Sequence, residues 1–257
     1  MSRLSRLLGR VEGAAENAIS RTFDHFLKRH SDEGVFWNGL FAEKIRIFDE
    51  TGHTDWDAPS SRGYYELLLR DFKRLVGTPA SALEMGCGTA VLSMLLAVQG
   101  SDVTIVDKTA TALCYAKIIE GRLREEFTFL GSVSYVHSDL LELERSLRGE
   151  VVHNCGVIEE MSAYDAVKVV AAMARHARRH VVVGVPNFFN PYLLGIWRRG
   201  GKGTERYYSK RTLARVLHAA GLHCVSVHNS SCIHPLIPQH VNCGLGLGFL
   251  HIGVADV

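Results

Sequence analysis

Leu83-Glu84-Met85-Gly86-Cys87-Gly88-Thr89-Ala90-Val91, followed by Ser101-Asp102-Val103-Thr104-Ile105-Val106 and then Asp107, decides the fold. Ser81 to Leu83 has strand character, Gly86 and Gly88 permit a turn too tight for a side chain, and Val91 to Leu96 has the apolar density of a buried helix. The pattern is strand, glycine turn, helix and second strand, with a carboxylate closing that strand. Asp107 follows the turn by roughly 20 residues, the separation a parallel β-α-β unit needs to set a carboxylate beside a ribose lying across the strand ends. The unit reads as a nucleoside pocket, and a side chain at Gly86 is expected to fill the ligand's space.

The missing features narrow the nucleoside. A pyrophosphate binder wants a third glycine where this chain has Val91, and Glu84 directly before the turn repels a diphosphate while suiting a cation. No Lys-Ser or Lys-Thr pair follows the glycines, which excludes a P-loop.

Leu83-Glu84-Met85-Gly86-Cys87-Gly88-Thr89 resembles the first motif of the class I S-adenosylmethionine (SAM) dependent methyltransferases, of the small-molecule type. The resemblance runs from about Tyr64 to the C-terminus. It implies that Asp107 binds the ribose hydroxyls, that Asp139 in His137-Ser138-Asp139-Leu140 accepts the adenine amino group, and that His153 to Glu159 lines the methionine end. The cofactor set it implies is Tyr64, Glu84, Gly86, Cys87, Gly88, Asp107, Lys108, Asp139, Leu140, Asn154, Cys155 and Gly156. It also implies an α/β fold: a seven-stranded, mostly parallel Rossmann-like sheet with helices on both faces and its last strand antiparallel between the fifth and sixth. Residues 63–257 form the SAM-binding domain and residues 1–62 an N-terminal helical extension or lid.

The 257 residues are 47% hydrophobic, enough for the core of one α/β domain with additions. With 29 Lys+Arg against 27 Asp+Glu there is no global field to draw the chain onto a polyphosphate, so nucleic acid is disfavoured. The 6 cysteines include no Cys-x-x-Cys pair and suit a reducing compartment; without a membrane-spanning run or cleavable signal, the expected location is cytoplasmic.

Ahead of the motif, Met1 to His30 has helical periodicity; besides a covering helix, a transit sequence or a membrane-surface helix stays open. Val35 to Phe41 is an aromatic cluster preceding a helix through Phe48, with Trp37 a substrate-side residue. Ser60 or Ser61 is expected to cap a helix from Gly63 to Val76 that opens with Tyr64 and Tyr65, the latter assigned to the substrate.

Beyond it, the periodicity predicts a helix over Thr109–Phe127, strands at Val133–His137 and Val151–Asn154, and a helix from Ala163 to His180 whose terminal cations suit the dipole. Val181–Val185 reads as a buried fifth strand, and Asn187-Phe188-Phe189-Asn190-Pro191-Tyr192 as a substrate-side loop offering Asn187, Asn190 and Tyr192. Tyr208 joins this set. A basic loop around Arg198, Arg199, Lys202 and Arg206 precedes a helix over Lys210–Ala220 capped by Ser209, then strands at Leu222–His228 and Leu247–Val254.

No metal is expected: His176 and His180, four apart, have no carboxylate or cysteine companion nearby, and Cys224, His228, Cys232 and His234 match no zinc spacing. If SAM binds, the reaction is in-line displacement by an O, N or C nucleophile of a small-molecule acceptor, releasing S-adenosylhomocysteine (SAH). A dedicated base is optional, and its pool is His153, Glu159, Glu160, His234 and His240, with His153 and His234 assigned to catalysis. A non-catalytic SAM-binding partner subunit, a nicotinamide oxidoreductase and a membrane-associated lipid methyltransferase are the rival readings, and a homodimer is left open.

Overall fold

The computed structural model describes residues 33–187, 189, 190, 193, 206–231 and 248–257. In chain order these are α1 (Glu33–Thr51), a 3-10 turn (Asp55–Asp57), α2 (Pro59–Val76), β1 (Ser81–Met85), α3 (Val91–Val98), β2 (Asp102–Asp107), α4 (Ala110–Glu126), β3 (Val133–His137) and β4 (Gly149–Cys155). A second 3-10 turn (Ile158–Glu160), α5 (Ala163–His176), β5 (Ala177–Pro186), α6 (Lys210–Ala219), β6 (His223–Asn229) and β7 (Leu250–Asp256) complete them.

The strands form one seven-stranded sheet in the order β3-β2-β1-β4-β5-β7-β6. The strands from β3 to β5 in that order are parallel, and β7 runs antiparallel to both β5 and β6. This is the expected architecture, including the last strand between the fifth and sixth. Both faces are covered, so the central strands are apolar throughout. Ala82, Val103, Val151 and Val182 pack with Leu68 and Phe72 of α2 and Leu92 and Leu96 of α3. Leu83, Val152, Val181 and Val183 face the other way, onto Val170 and Met173 of α5 and Leu213 and Leu217 of α6. β1 has β2 on one side and β4 on the other, so the chain reverses its winding there and opens a crevice at the strands' carboxyl ends.

Several boundaries differ from the sequence reading. The aromatic cluster Phe36 to Phe41 lies within α1 rather than ahead of it. α2 starts at Pro59, not Gly63: Pro59 occupies the first turn, where its missing N–H costs nothing, and the extended Ala58 precedes it with no side-chain cap. α5 ends at His176, and Arg178, Arg179 and His180 belong to β5, because pairing with β4 and β7 continues to the foot of that strand. His176 bonds the Leu147 carbonyl at 2.7 Å and His180 the Asp256 carboxylate at 2.7 Å, so the two do not share a helix face. In β6 a bulge between His223 and Ser226, with Cys224 at φ 49°, breaks the alternation expected to align Cys224 with His228. Among the described residues no group of 3 or more His, Cys, Asp or Glu side chains is placed to hold a metal ion, and no helix is long and apolar enough to cross a membrane. The Met1–His30 helix and Arg198, Arg199, Lys202, Cys232, His234 and His240 lie outside the described residues.

Ser209 accepts a hydrogen bond from the Thr212 N–H at 3.1 Å and so caps α6. Ser209→Ala should cost about 1 kcal/mol, read as a lower urea midpoint with an unchanged slope.

Candidate cofactor and acceptor site

The glycine turn after β1 is held from β2. The Gly86 N–H donates to the Val106 carbonyl at 2.9 Å, the Cys87 N–H to one Asp107 oxygen at 2.9 Å, and the Thr109 N–H to the other at 2.8 Å. One carboxylate thereby ties together the two loops that border the crevice. The turn needs left-handed backbone at Gly86 (φ 85°) and Gly88 (φ 52°), and Ala90 (φ 55°) shares it just before α3 begins. A Cβ on Gly86 would meet Val157 Cγ2 at 2.7 Å, so Val157, rather than ligand space, stands over that position. A Cβ on Gly88 meets nothing within 4 Å, and Gly88 lines the cavity.

That cavity has a volume of about 610 Å³. Its floor is the glycine turn with Glu84 and Asp107, and Asp139 and Leu140 close one end. At the other end stand Cys155, Gly156, Glu160 and Met161.

Two helices supply an aromatic wall. α1 packs on α4, where Phe41 lies 6.0 Å from Tyr115 between ring centroids and the Thr111 hydroxyl donates to Asn38 at 3.0 Å. This docking, with the Lys44–Asp55 ion pair at 2.5 Å, presents Trp37, Phe41 and Lys44 to the cavity. From α2, Tyr65 shares a 2.7 Å hydrogen bond with Thr89 of the glycine turn, and Tyr64 lies 3.8 Å from Cys155 Sγ and edge-on to Phe249. Burial keeps both phenols protonated and pushes the Cys155 thiol up to about 12.

Glu84 is 5% exposed, and its Oε2 has no hydrogen-bond partner. Burial pushes its pKa up to about 8, with the Asp107 charge adding to the rise and a Ser93 hydrogen bond opposing it. A neutral carboxyl therefore faces the cavity at neutral pH.

Of the residues the sequence nominated for the cofactor, all but Asn154 line the cavity. Asn154 points to the opposite sheet face from its neighbours His153 and Cys155, and donates to Met173 Sδ of α5 at 3.2 Å. The nominated base His153 is also off the cavity wall: it is 1% exposed, bonded to Ser93 Oγ at 3.1 Å and edge-on to Phe72. Burial pushes its pKa down to about 3, and nothing places it near an acceptor.

Trp37 and Tyr65, nominated for the acceptor, line the cavity, whereas Asn187, Asn190 and Tyr208 do not. Asn187 braces its loop by donating to the Gly248 carbonyl at 2.8 Å and accepting from the Phe189 N–H at 3.1 Å. Asn190 accepts from the Leu193 N–H at 3.3 Å, and Tyr208 sits 4% exposed in the α5–α6 core, its hydroxyl 3.4 Å from the Ile158 carbonyl. Tyr192 and His234 fall outside the described residues.

The sequence reading missed Lys44, Met161, Ser162 and Asp165 on the wall. The last two carried a legible signal, Ser162-x-x-Asp165 ahead of an apolar helix, realised as a 3.1 Å cap of α5.

No family model and no curated relative matches the chain. Solved structures do. Magnesium protoporphyrin IX methyltransferase (ChlM) from Synechocystis PCC 6803 with bound SAH is 14% identical at a TM-score of 0.56, covering 84% of this chain and 98% of its own. N-methyltransferase NodS from Bradyrhizobium japonicum WM9 in complex with SAH is 12% identical at 0.55, covering 86% and 97%. Burkholderia thailandensis 1,6-didemethyltoxoflavin-N1-methyltransferase, with bound 1,6-didemethyltoxoflavin and SAH, is 14% identical at 0.55, covering 88% and 91%. The chain has the class I methyltransferase fold.

The raised Glu84 pKa has a consequence for stability. An unfolded glutamate titrates near 4.3, so the stabilisation carried by the neutral folded form is complete below that pH and is lost as pH rises through about 8. Glu84→Gln should behave like wild type in urea at pH 4.5 and become the more stable of the two at pH 8.5. Equal midpoints at pH 8.5 contradict a buried, uncompensated carboxyl.

Proposed function

We propose that the chain is a SAM-dependent methyltransferase acting on an O, N or C nucleophile of a small-molecule acceptor. The observation that carries the proposal is the position of Asp107: it ends β2, lines the cavity, and is hydrogen-bonded to a glycine turn bordered by Glu84 rather than by a phosphate-binding lysine. Each Asp107 oxygen receives one backbone N–H and keeps lone-pair capacity for a ribose hydroxyl. Asp139 stands at the end of the next strand over, and Gly88 leaves open space at the turn. The unpartnered Glu84 oxygen suits the positive charge of SAM, and these residues fit that cofactor.

Bound SAM supplies an activated methyl group that an acceptor's lone pair displaces in line. The protein's share is alignment and exclusion of water. Trp37, Phe41, Tyr64 and Tyr65 wall the cavity with aromatic surface, and the Tyr65–Thr89 bond fixes that wall to the turn that positions the cofactor. Among the described residues no histidine lines the cavity; of the base pool, Glu160 does. The arrangement supports an acceptor that needs little help losing a proton. An enclosing aromatic wall in a nearly neutral protein, and similar structures named for magnesium protoporphyrin IX and 1,6-didemethyltoxoflavin, support a small acceptor.

Calorimetric titration with SAH, followed by mass spectrometry of a metabolite extract incubated with methyl-labelled SAM, tests the proposal. Binding and a labelled product are expected, and absence of SAH binding by folded protein defeats it. Asp107→Ala should weaken SAH binding by about 1.5–3 kcal/mol through loss of charge-assisted hydrogen bonds, and should also lower the melting temperature because two loop N–H groups lose their acceptor. Gly88→Val should remove SAH binding and also lower the melting temperature, because a branched side chain strains its left-handed backbone; Gly86→Val should impair folding further, since Val157 also occupies its space.

A further inference from the structure

Behind the cavity wall, three polar side chains form a buried row that alignment of a substrate does not by itself require. Register places Glu84 of β1 beside His153 of β4, both toward α3. Ser93 of α3 completes the row, its hydroxyl 3.1 Å from His153 Nε2 and placed where hydrogen bonding to the Glu84 carboxyl lowers that group's pKa. Ser93 is fully buried and His153 1% exposed. Two buried atoms of the row have no partner, Glu84 Oε2 and His153 Nδ1, and of the three residues Glu84 lines the cavity.

Hydrogen-bond direction along this row depends on the proton of Glu84. When the carboxyl is neutral, it donates to Ser93 and the Ser93 hydroxyl donates to His153 Nε2, leaving the imidazole proton on Nδ1. When the carboxyl is ionised, Ser93 must turn its hydrogen toward it, and His153 must present an Nε2–H to the Ser93 oxygen. The titratable groups facing Glu84 are Asp107 at the end of β2, Cys87 in the glycine turn, His153 and Cys155 on β4, and Tyr65 on α2. No cationic side chain is among the groups that set its charge state. Lys44 and Lys108 line the same cavity, but neither is among the groups that act on Glu84, so the carboxyl itself has no cationic partner.

We propose that Ser93 and His153 are positioning residues for Glu84, and that a cationic ligand group entering the cavity takes Glu84 from its neutral to its ionised form as the Ser93 hydroxyl swings from His153 to the carboxylate. The proposal rests on the reading of the cavity as a SAM site, whose ammonium or sulfonium supplies the cation. The carboxyl O–H bond breaks heterolytically, its electron pair stays on the carboxylate, the proton leaves to solvent, and the imidazole changes tautomer without changing charge.

Titration calorimetry of the full chain at pH 6.5, in buffers of differing ionisation heat, measures the proton. At that pH an α-amino group, with its pKa near 7.7–8.0, stays charged and contributes little. About one proton released per SAH or SAM bound is expected; release with both assigns the ammonium, and release with SAM alone the sulfonium. Glu84→Gln should bind more weakly and release none. Ser93→Ala, which removes the hydrogen bond favouring the carboxylate, should move the acid limb of the affinity profile to higher pH, whereas a merely structural role lowers affinity equally at every pH. Ring nitrogen-15 shifts of His153 should pass from the Nδ1–H to the Nε2–H tautomer on saturation with ligand. Binding without buffer-dependent heat from either probe, proton release surviving in Glu84→Gln, or an unchanged His153 tautomer overturns the proposal. No binding heat from correctly folded protein overturns the SAM reading instead.

Discussion

The Asp107 carboxylate joins the two loops from which the crevice is built. The N–H groups of Cys87 and Thr109 converge on it, one after β1 and one after β2. The bonds are charge-assisted, and the carboxylate is partly buried, so each is worth more than an ordinary surface contact. With the Gly86 N–H bond to Val106, the Ala90 N–H bond to Cys87 and the Tyr65–Thr89 bond, that acceptor holds the left-handed backbone at Gly86, Gly88 and Ala90. Parallel pairing of β1 and β2 brings Val106 beside Met85, and Asp107 just past it, so the sheet register sets the clamp before any ligand arrives. The floor of the cavity is in this sense preorganised.

The wall is built by separate means. α1 reaches the cavity because Asn38, Phe41 and Lys44 dock on α4 and on the 3-10 turn before α2. Arg62 and Trp56 meet Glu126 at the far end of α4, extending the attachment. α1 and the 3-10 turn are thus fastened along α4, and Phe41 and Trp56 share one core cluster with Met94 of α3, Ile105 of β2 and Tyr115 and Ile119 of α4. The aromatic side chains left over from that packing face the crevice.

Glu84 is the element least like ordinary core. A fold optimised for stability alone would put an apolar residue between Ala82 and the glycine turn, since a buried carboxyl with an unpartnered oxygen is costly. Its surroundings are apolar or acidic: Asp107 raises its pKa further, and His153 beyond Ser93 is neutral. Strain of this kind concentrates where a ligand relieves it.

The sequence by itself determined the sheet and its floor. Period, turn residues and spacing are local properties, so the glycine turn, Asp107, β3 and the capped helix after Ser209 were legible from residue order. Resemblance of motifs extended this to the inserted antiparallel strand and to Asp139. What the tertiary structure alone decided was which way side chains point. Asn154 and Cys155 are adjacent in sequence, yet strand alternation gives one to α5 and the other to the cavity. His153 has the chemistry of a base, but packing against Phe72 and Ser93 buries it behind the wall. Asn187 and Asn190 have the chemistry of substrate ligands, but nearby backbone groups claim them first. Helix ends followed the same rule: strand pairing overrode the helical period at Arg178 to His180, because hydrogen bonds to two neighbouring strands outweigh a local preference.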